Sequence, residues 1–303
     1  MRAIGDALRS DVLHSFSRSP AAILAAVVAL ALVTSAFFAP LIASQNPFDL
    51  ATLDLMDARD PPIWLEGGDA RFLLGTDNQG RDMLSAVLYG ARISIGVSVA
   101  SVLLAMLIGV SVGLLAGYFG GLVETIVMRA ADVQLTFPAI LTALLISGAA
   151  RALFGAGGIA GLEFWILVVS IGLSFWVQYA RTVRASTLIE KRKDYVAAAK
   201  LVGISPLRIM FTHVMPNVLG PVLVIATINL ALAIITEATL SFLGVGLPPS
   251  QPSLGTLVRT GNDFLFSGEW WIVFFPGAML ATLALAVNIV GDWLRDALNP
   301  RLR

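Results

Sequence analysis

A carboxylate inside an apolar run is the first residue to explain in this 303-residue sequence. Glu237 lies in the stretch from about Val218 to Leu243, where an ionised group is costly unless it is paired or lines a polar passage. Two roles fit it: a polar contact at a subunit interface or pathway wall, or direct contact with a cationic group such as a substrate amine. Asn229 and Asn288, in the fifth and sixth apolar runs, and Gln178, toward the inner end of the fourth, carry amides that hydrogen-bond between helices or line a pathway. Side chains for covalent or metal chemistry are scarce. There is no cysteine, hence no disulfide and no thiolate metal site. The two histidines, His14 and His213, are unpaired at metal-ligand spacing, and no His-Glu-x-x-His occurs. Lys191, Lys193 and Lys200 are the three lysines, and none stands in a Gly-x-x-x-x-Gly-Lys-Ser/Thr setting. The chain therefore carries no P-loop of its own. No metal site, cofactor or hydrolytic serine is expected, and the chain does not read as an enzyme.

The elements that must position these residues are membrane helices. Apolar residues make up 57% of the chain and charged residues 13%, the composition of a polytopic membrane protein. A bilayer core takes roughly 20 apolar residues per helix, and six such runs are present. They are Pro20 to Ser44, Ile93 to Tyr118, Ile126 to Gly148, Leu162 to Tyr179, Val218 to Leu243, and Trp270 to Asp292. Pro138 should kink the third. Gly109, Gly113 and Gly117 recur every fourth residue in the second, a spacing that brings two helix backbones together. The expected fold is thus all-α and polytopic. It comprises an N-terminal tail (1–19), a first span (20–44), a loop with an interfacial helix (45–92), a core of five further spans (93–296) and a C-terminal tail (297–303).

The basic residues orient this arrangement. Arg2, Arg9 and Arg18 precede the first span, and Arg181, Arg184, Lys191, Arg192, Lys193, Lys200 and Arg208 crowd the loop after the fourth. Arg295, Arg301 and Arg303 close the chain, while the first loop is rich in aspartate. The positive-inside rule places both termini and the basic loop in the cytoplasm and the acidic loop outside. Within the basic loop, Asp194 to Gly203 reads as a short helix. Ala197, Ala198 and Ala199 favour helix, Gly203 suits a left-handed C-terminal position, and Ser205-Pro206 offers an N-cap followed by proline at the first helical position. A compact helix-turn-helix on the cytoplasmic side is a surface for a soluble partner.

From about residue 184 to 217 this loop resembles the EAA loop of permease subunits of bacterial ABC importers. Ala197-Ala198-Ala199-x3-Gly203-x9-His213-x-Met215-Pro216 keeps the spacing of Glu-Ala-Ala-x3-Gly-x9-Ile-x-Leu-Pro, with Ala197, His213 and Met215 replacing the glutamate, isoleucine and leucine. Other segments resemble the second permease subunit of dipeptide and oligopeptide importers. They include Leu74-Gly75-Thr76-Asp77-Asn78-Gln79-Gly80-Arg81-Asp82, Tyr89-Gly90-Ala91-Arg92, Gly117-Tyr118-Phe119-Gly120-Gly121, and Met128-Arg129-x-x-Asp132. Asp194-Tyr195-Val196, Glu237-Ala238-Thr239-Leu240-Ser241-Phe242-Leu243-Gly244, and Gly291-Asp292-x-Leu294-Arg295-Asp296-Ala297-Leu298 follow the same branch.

The resemblance implies a type I ABC importer of peptides or peptide-like solutes. In it a second, different permease completes the pathway, two ATPase subunits hold ATP and Mg, and a periplasmic solute-binding protein delivers cargo. Asp194, Tyr195, Ala197, Ala198, Ala199, Lys200, Gly203 and Pro216 are then the expected ATPase-coupling residues, with the small side chains and Gly203 permitting close approach. Glu237, Asn229, Asn288 and Gln178 are the pathway or interface candidates. Asp77 is an expected N-cap before the second span. Nickel, opine or glutathione cargo stays open, as does a secondary transporter, although the latter calls for repeats and coupling-ion ligands that the sequence does not display. No nucleic-acid partner is implied.

Overall fold

The computed structural model describes residues 15–49, 51, 53–158 and 161–297, with backbone alone for 156–158. Arg2, Arg9, His14, Leu298, Arg301 and Arg303 lie outside the described residues. The principal helices are α1 (Pro20–Phe37), α2 (Met83–Phe119), α3 (Gly121–Leu135), α4 (Ala139–Gly158), α5 (Glu163–Glu190), α6 (Asp194–Leu201), α7 (Met215–Phe242), α8 (Leu254–Phe264) and α9 (Trp271–Ala297). Helices α1, α2, α5, α7 with its lead-in from Pro206, and α9 are long and apolar enough to cross a bilayer, and α3 with α4 meets the same criterion only as a sharply bent pair. No strand occurs among the described residues.

The central contact is between α2 and α5, and glycine makes it possible. A Cβ on Gly109 would lie 2.4 Å from Tyr179 Cβ, one on Gly113 2.5 Å from the Ala180 carbonyl, and one on Gly117 2.7 Å from Thr187 Cβ. The every-fourth-residue spacing therefore marks a packing face, as expected. Gly96 beside Phe164 and Gly172 beside Leu104 continue the same register, so the two helices run parallel. Helix α7 packs on both, α9 packs on α7 and α8, and α1 lies along α9 and α2. Phe16 and Trp293 stack edge to face at 4.9 Å, which brings the segment just before α1 and the last turns of α9 to one end of the bundle. Ala36, at the other end of α1, packs with Met83 at the start of α2.

Several helix limits differ from those that apolarity alone suggests. Helix α2 begins at Met83 rather than Ile93, because Asp82 caps it by accepting from the Ser85 amide at 3.0 Å. Asp77 is not a cap: its carboxylate accepts from the Gln79 and Arg81 amides and pairs with the buried Arg81 guanidinium at 2.6 Å. Helix α5 continues past Tyr179 to Glu190, its polar turns held by Arg181 on Asp132 at 2.6 Å and Arg184 on Glu124. Helix α1 stops at Phe37, and Pro40 sits in a separate turn, Ala39–Ile42. At Pro138 the outcome is a break rather than a kink: α3 and α4 meet at 96°. Proline removes an N–H and drives the preceding residue, here Phe137, out of helical geometry.

Candidate functional site

Helix α6 lies in the basic loop that joins α5 to α7. Asp194 opens it, a carboxylate at the positive end of the helix dipole. Val196 and Ala199, three residues apart on one face, are buried against the helix bundle. Ala197, Ala198, Lys200, Leu201 and Val202 point outward, with Leu201 90% and Val202 81% exposed. Ala199 thus departs from its neighbours: it fastens α6 to the bundle and presents no surface of its own. Gly203 ends the helix at φ +81°. The Gly203 amide donates to the Lys200 carbonyl and the Ile204 amide to the Ala199 carbonyl, a Schellman closure that glycine adopts without strain. No atom lies within 4 Å of a Cβ placed on Gly203, so its role within the chain is conformational rather than one of close packing.

Ser205 then stands at the N-cap position of a turn with Pro206 at its first position, but its hydroxyl makes no capping hydrogen bond; only its carbonyl accepts, from the Ile209 amide at 3.0 Å. The following residues, Met210–Val214, form a π turn in which the Met215 amide reaches back to the Met210 carbonyl. Pro216, exposed in the first turn of α7, has no N–H to give to Thr212, which favours the wider turn there.

Tyr195 ties α6 to both flanking spans. Its hydroxyl donates to Glu190 Oε2 at the end of α5 at 2.8 Å and accepts from Asn217 Nδ2 on α7 at 3.2 Å. Asn217 also donates to the His213 carbonyl at 2.7 Å, and Lys193 Nζ meets Glu190 Oε1 at 2.6 Å. Partial burial, followed by the Glu190 carboxylate, pushes the Tyr195 phenol above its ordinary pKa and keeps it a donor. Lys191 Nζ donates to the Gly117 carbonyl at 2.6 Å, closing the C-terminal end of α2, where a cation is favoured. Lys200 Nζ sits 5.9 Å over the Tyr118 ring.

The four polar residues of the apolar runs separate into two pairs. Glu237 is fully buried, its Oε1 accepting from Ser241 Oγ at 2.7 Å, with the hydroxyls of Ser94 on α2 and Ser253 at the head of α8 beside it. Asn229 is also fully buried on α7 and neighbours the Tyr179 hydroxyl of α5. Gln178 and Asn288 instead face outward, and the helix that carries Gln178 runs on to Glu190. The structure brings Glu237 and Asn229 to helix contacts within the chain and leaves Gln178 and Asn288 on its surface.

Residues 109–303 match the model of the family described as "Binding-protein-dependent transport system inner membrane component". The chain belongs to that family. Residues 8–62 match the N-terminal TM domain of oligopeptide transport permease C. Among curated relatives, the chain is similar to the Di/tripeptide transport system permease protein DppC of Pseudomonas aeruginosa (strain UCBPP-PA14), 38% identical over 96% of this chain and 91% of the relative. It is likewise similar to the Dipeptide transport system permease protein DppC of Escherichia coli (strain K12), 40% identical over 96% of this chain and 92% of the relative. Among solved structures, a chain of the MetNI methionine ABC transporter in an inward-facing conformation matches with a TM-score of 0.55, at 19% identity, over 72% of this chain and 98% of that one. That likeness shows the fold of an ABC importer transmembrane domain.

This inner-membrane permease, a partner of ATPase and solute-binding proteins by family, has features that sequence reading misses. Gly109-Val110-Ser111-Val112-Gly113 has Gly-x-Ser-x-Gly spacing. Ser111 stands inside α2 with its hydroxyl on the Leu107 carbonyl at 2.7 Å, so no strand-to-helix elbow exposes it. Gln134 accepts from Trp176 Nε1 at 2.5 Å and donates to the Leu173 carbonyl, binding α3 to α5. Arg151 Nη2 donates to the Val245 and Gly246 carbonyls at 3.0 and 2.7 Å. Gln134 and Arg151 are 39 to 95 positions from these partners, and only their being lone polar types in apolar runs could have flagged them.

Proposed function

We propose that this permease is one pathway-forming subunit of an ATP-driven importer that carries peptides or peptide-like solutes across the bacterial inner membrane. The observation that carries the reading is α6, which offers an exposed small and apolar face at Ala197, Ala198, Leu201 and Val202 while Tyr195 fastens it to two spans. Exposed apolar surface beside charged residues fits a helix-in-groove contact, and the ATPase subunit is its occupant. Asp194 and Lys200 supply charges at the rim; Gly203 and Pro216 fix the turns that hold the helix in place. A displacement of α6 is passed through Tyr195 to α5 and α7. Inward- and outward-facing states then exchange because ATP and the loaded binding protein favour different ones.

The peptide class is supported by the relatives' names, and the full complex in this proposal has a second, different permease subunit and two ATPase chains. ATP and Mg are held by the ATPases, with no nucleotide or cofactor on this chain. Glu237 and Asn229 act as wall-packing residues; Gln178 and Asn288 are available to the second permease or the pathway. The test is purification of the chain from its native membrane and reconstitution of the recovered complex with its binding protein. ATP-dependent accumulation of labelled dialanine is expected. Recovery of a chain that needs no ATPase for uptake would refute the proposal.

A further inference from the structure

At the end of the bundle opposite α6, a pocket of about 430 Å³ opens between α4, α5, the 244–249 segment after α7, and α8. Arg151, Glu163, Arg259 and Asp263 all line it. Such a volume falls in the range of small-ligand sites. Two guanidinium groups and two carboxylates share the pocket, yet no ion pair joins any of the four among the described residues. Opposite charges in one concavity attract, so their separation needs a cause.

For the guanidinium groups the cause is local. Arg151 is held away by the Val245 and Gly246 carbonyls, and its Nε is buried without a partner. Arg259 lies against Gly244, where a Cβ would come within 2.2 Å of Nη1, and the φ of +83° at that position favours glycine. The 244–249 loop thus holds Arg151 by hydrogen bonds and Arg259 by contact at Gly244, while Glu163 and Asp263 have no side-chain hydrogen bond among the described residues.

We propose that this pocket receives a short zwitterionic peptide: Arg151 and Arg259 take its terminal carboxylate, and Glu163 and Asp263 take its terminal ammonium. The balance of two positive and two negative groups suits a molecule with one charge of each sign at its ends, and suits a plain anion or cation poorly. Recognition of both termini with an open middle tolerates varied side chains. Charge-assisted hydrogen bonds at each end supply the specificity. The inference rests on the peptide-import reading and adds to it a stopping place on this subunit at the binding-protein side.

Two measurements on the complete reconstituted complex test it. The first is saturation-transfer NMR of dialanine without binding protein, with N-acetyl-alanine amide as the uncharged control. The second is the affinity of the binding protein for the complex. Wild type should show a dialanine signal and none for the control. Arg259→Gln and Asp263→Asn should each cut the dialanine signal at least fivefold and leave binding-protein affinity within twofold. Arg259→Lys, which keeps the charge, should recover part of the signal; failure to recover any, with Gln and Lys alike, overturns a charge role. Absence of a dialanine signal in wild type, or an equal signal in the charge variants, overturns the pocket assignment. Weakened binding-protein affinity with an unchanged peptide signal overturns it in favour of a docking surface. A wild-type complex that imports neither dialanine nor trialanine refutes the peptide reading itself, which is a separate outcome.

Discussion

The Tyr195 hydroxyl donates to Glu190 Oε2 across 2.8 Å, joining the first turn of α6 to the last residue of α5. Because the same oxygen accepts from Asn217 on α7, one atom links the loop helix to two spans. Tyr195→Phe keeps the ring and removes the link. A hydrogen bond to a charged group is worth about 1.5–3 kcal/mol, so coupling should weaken by roughly tenfold or more. Transport-coupled ATP hydrolysis is the readout, and a variant with normal coupling and normal uptake would contradict the linkage.

Ala198 and Ala199 are adjacent, but the first is exposed and the second buried. Ala198→Trp should leave membrane abundance near wild type and abolish ATPase association in pull-down, since the new ring projects from the exposed face. Ala199→Trp should instead lower abundance, because overfilling a packed site costs about 1–3 kcal/mol. Identical phenotypes for the two would sink the assignment of faces.

Gly113 admits no side chain, its Cβ position being 2.5 Å from the Ala180 carbonyl. Gly113→Val should separate α2 from α5 and lower the thermal midpoint of the solubilised complex. Gly148→Ala and Gly220→Ala, where nothing lies within 4 Å, should leave it unchanged. Equal effects at all three positions would mean the close approach of α2 and α5 carries no stability.

Arg81 is 1% exposed, pairs with Asp77 at 2.6 Å and donates to the Pro249 carbonyl at 2.9 Å. Arg81→Met leaves a buried carboxylate without its cation, a loss of about 3–5 kcal/mol. Combining Arg81→Met with Asp77→Asn should recover part of it. A double-mutant cycle on thermal stability checks this; strict additivity would show that the two side chains are not coupled.

Glu237 sits among Ser94, Ser241 and Ser253. Glu237→Gln retains an acceptor for Ser241 and should preserve assembly while reducing uptake, whereas Glu237→Leu strands hydroxyls and should reduce both. Wild-type uptake and assembly in Glu237→Gln would remove both the wall and the substrate roles.

The sequence by itself determined most of the apolar spans and the loop helix with its turn. Each depends on residues close together in the chain: length and apolarity for the spans, and glycine or proline backbone preference at Gly203, Pro206 and Pro138. Helix limits were less legible, since α5 outruns its apolar run by using Arg181 and Arg184 to reach Asp132 and Glu124. Apart from the glycine face of α2, which the every-fourth-residue spacing marks, the faces of the helices were decided by tertiary structure. Helix α7 is apolar nearly all round, so hydropathy cannot say which way Glu237 or Asn229 points. The three serines around Glu237, the Tyr195 link from α5 to α7, and the grouping of Arg151 with Glu163, Arg259 and Asp263 follow from how helices rotate against one another. That rotation is set by close contacts such as Gly113 on Ala180, between residues far apart in the chain.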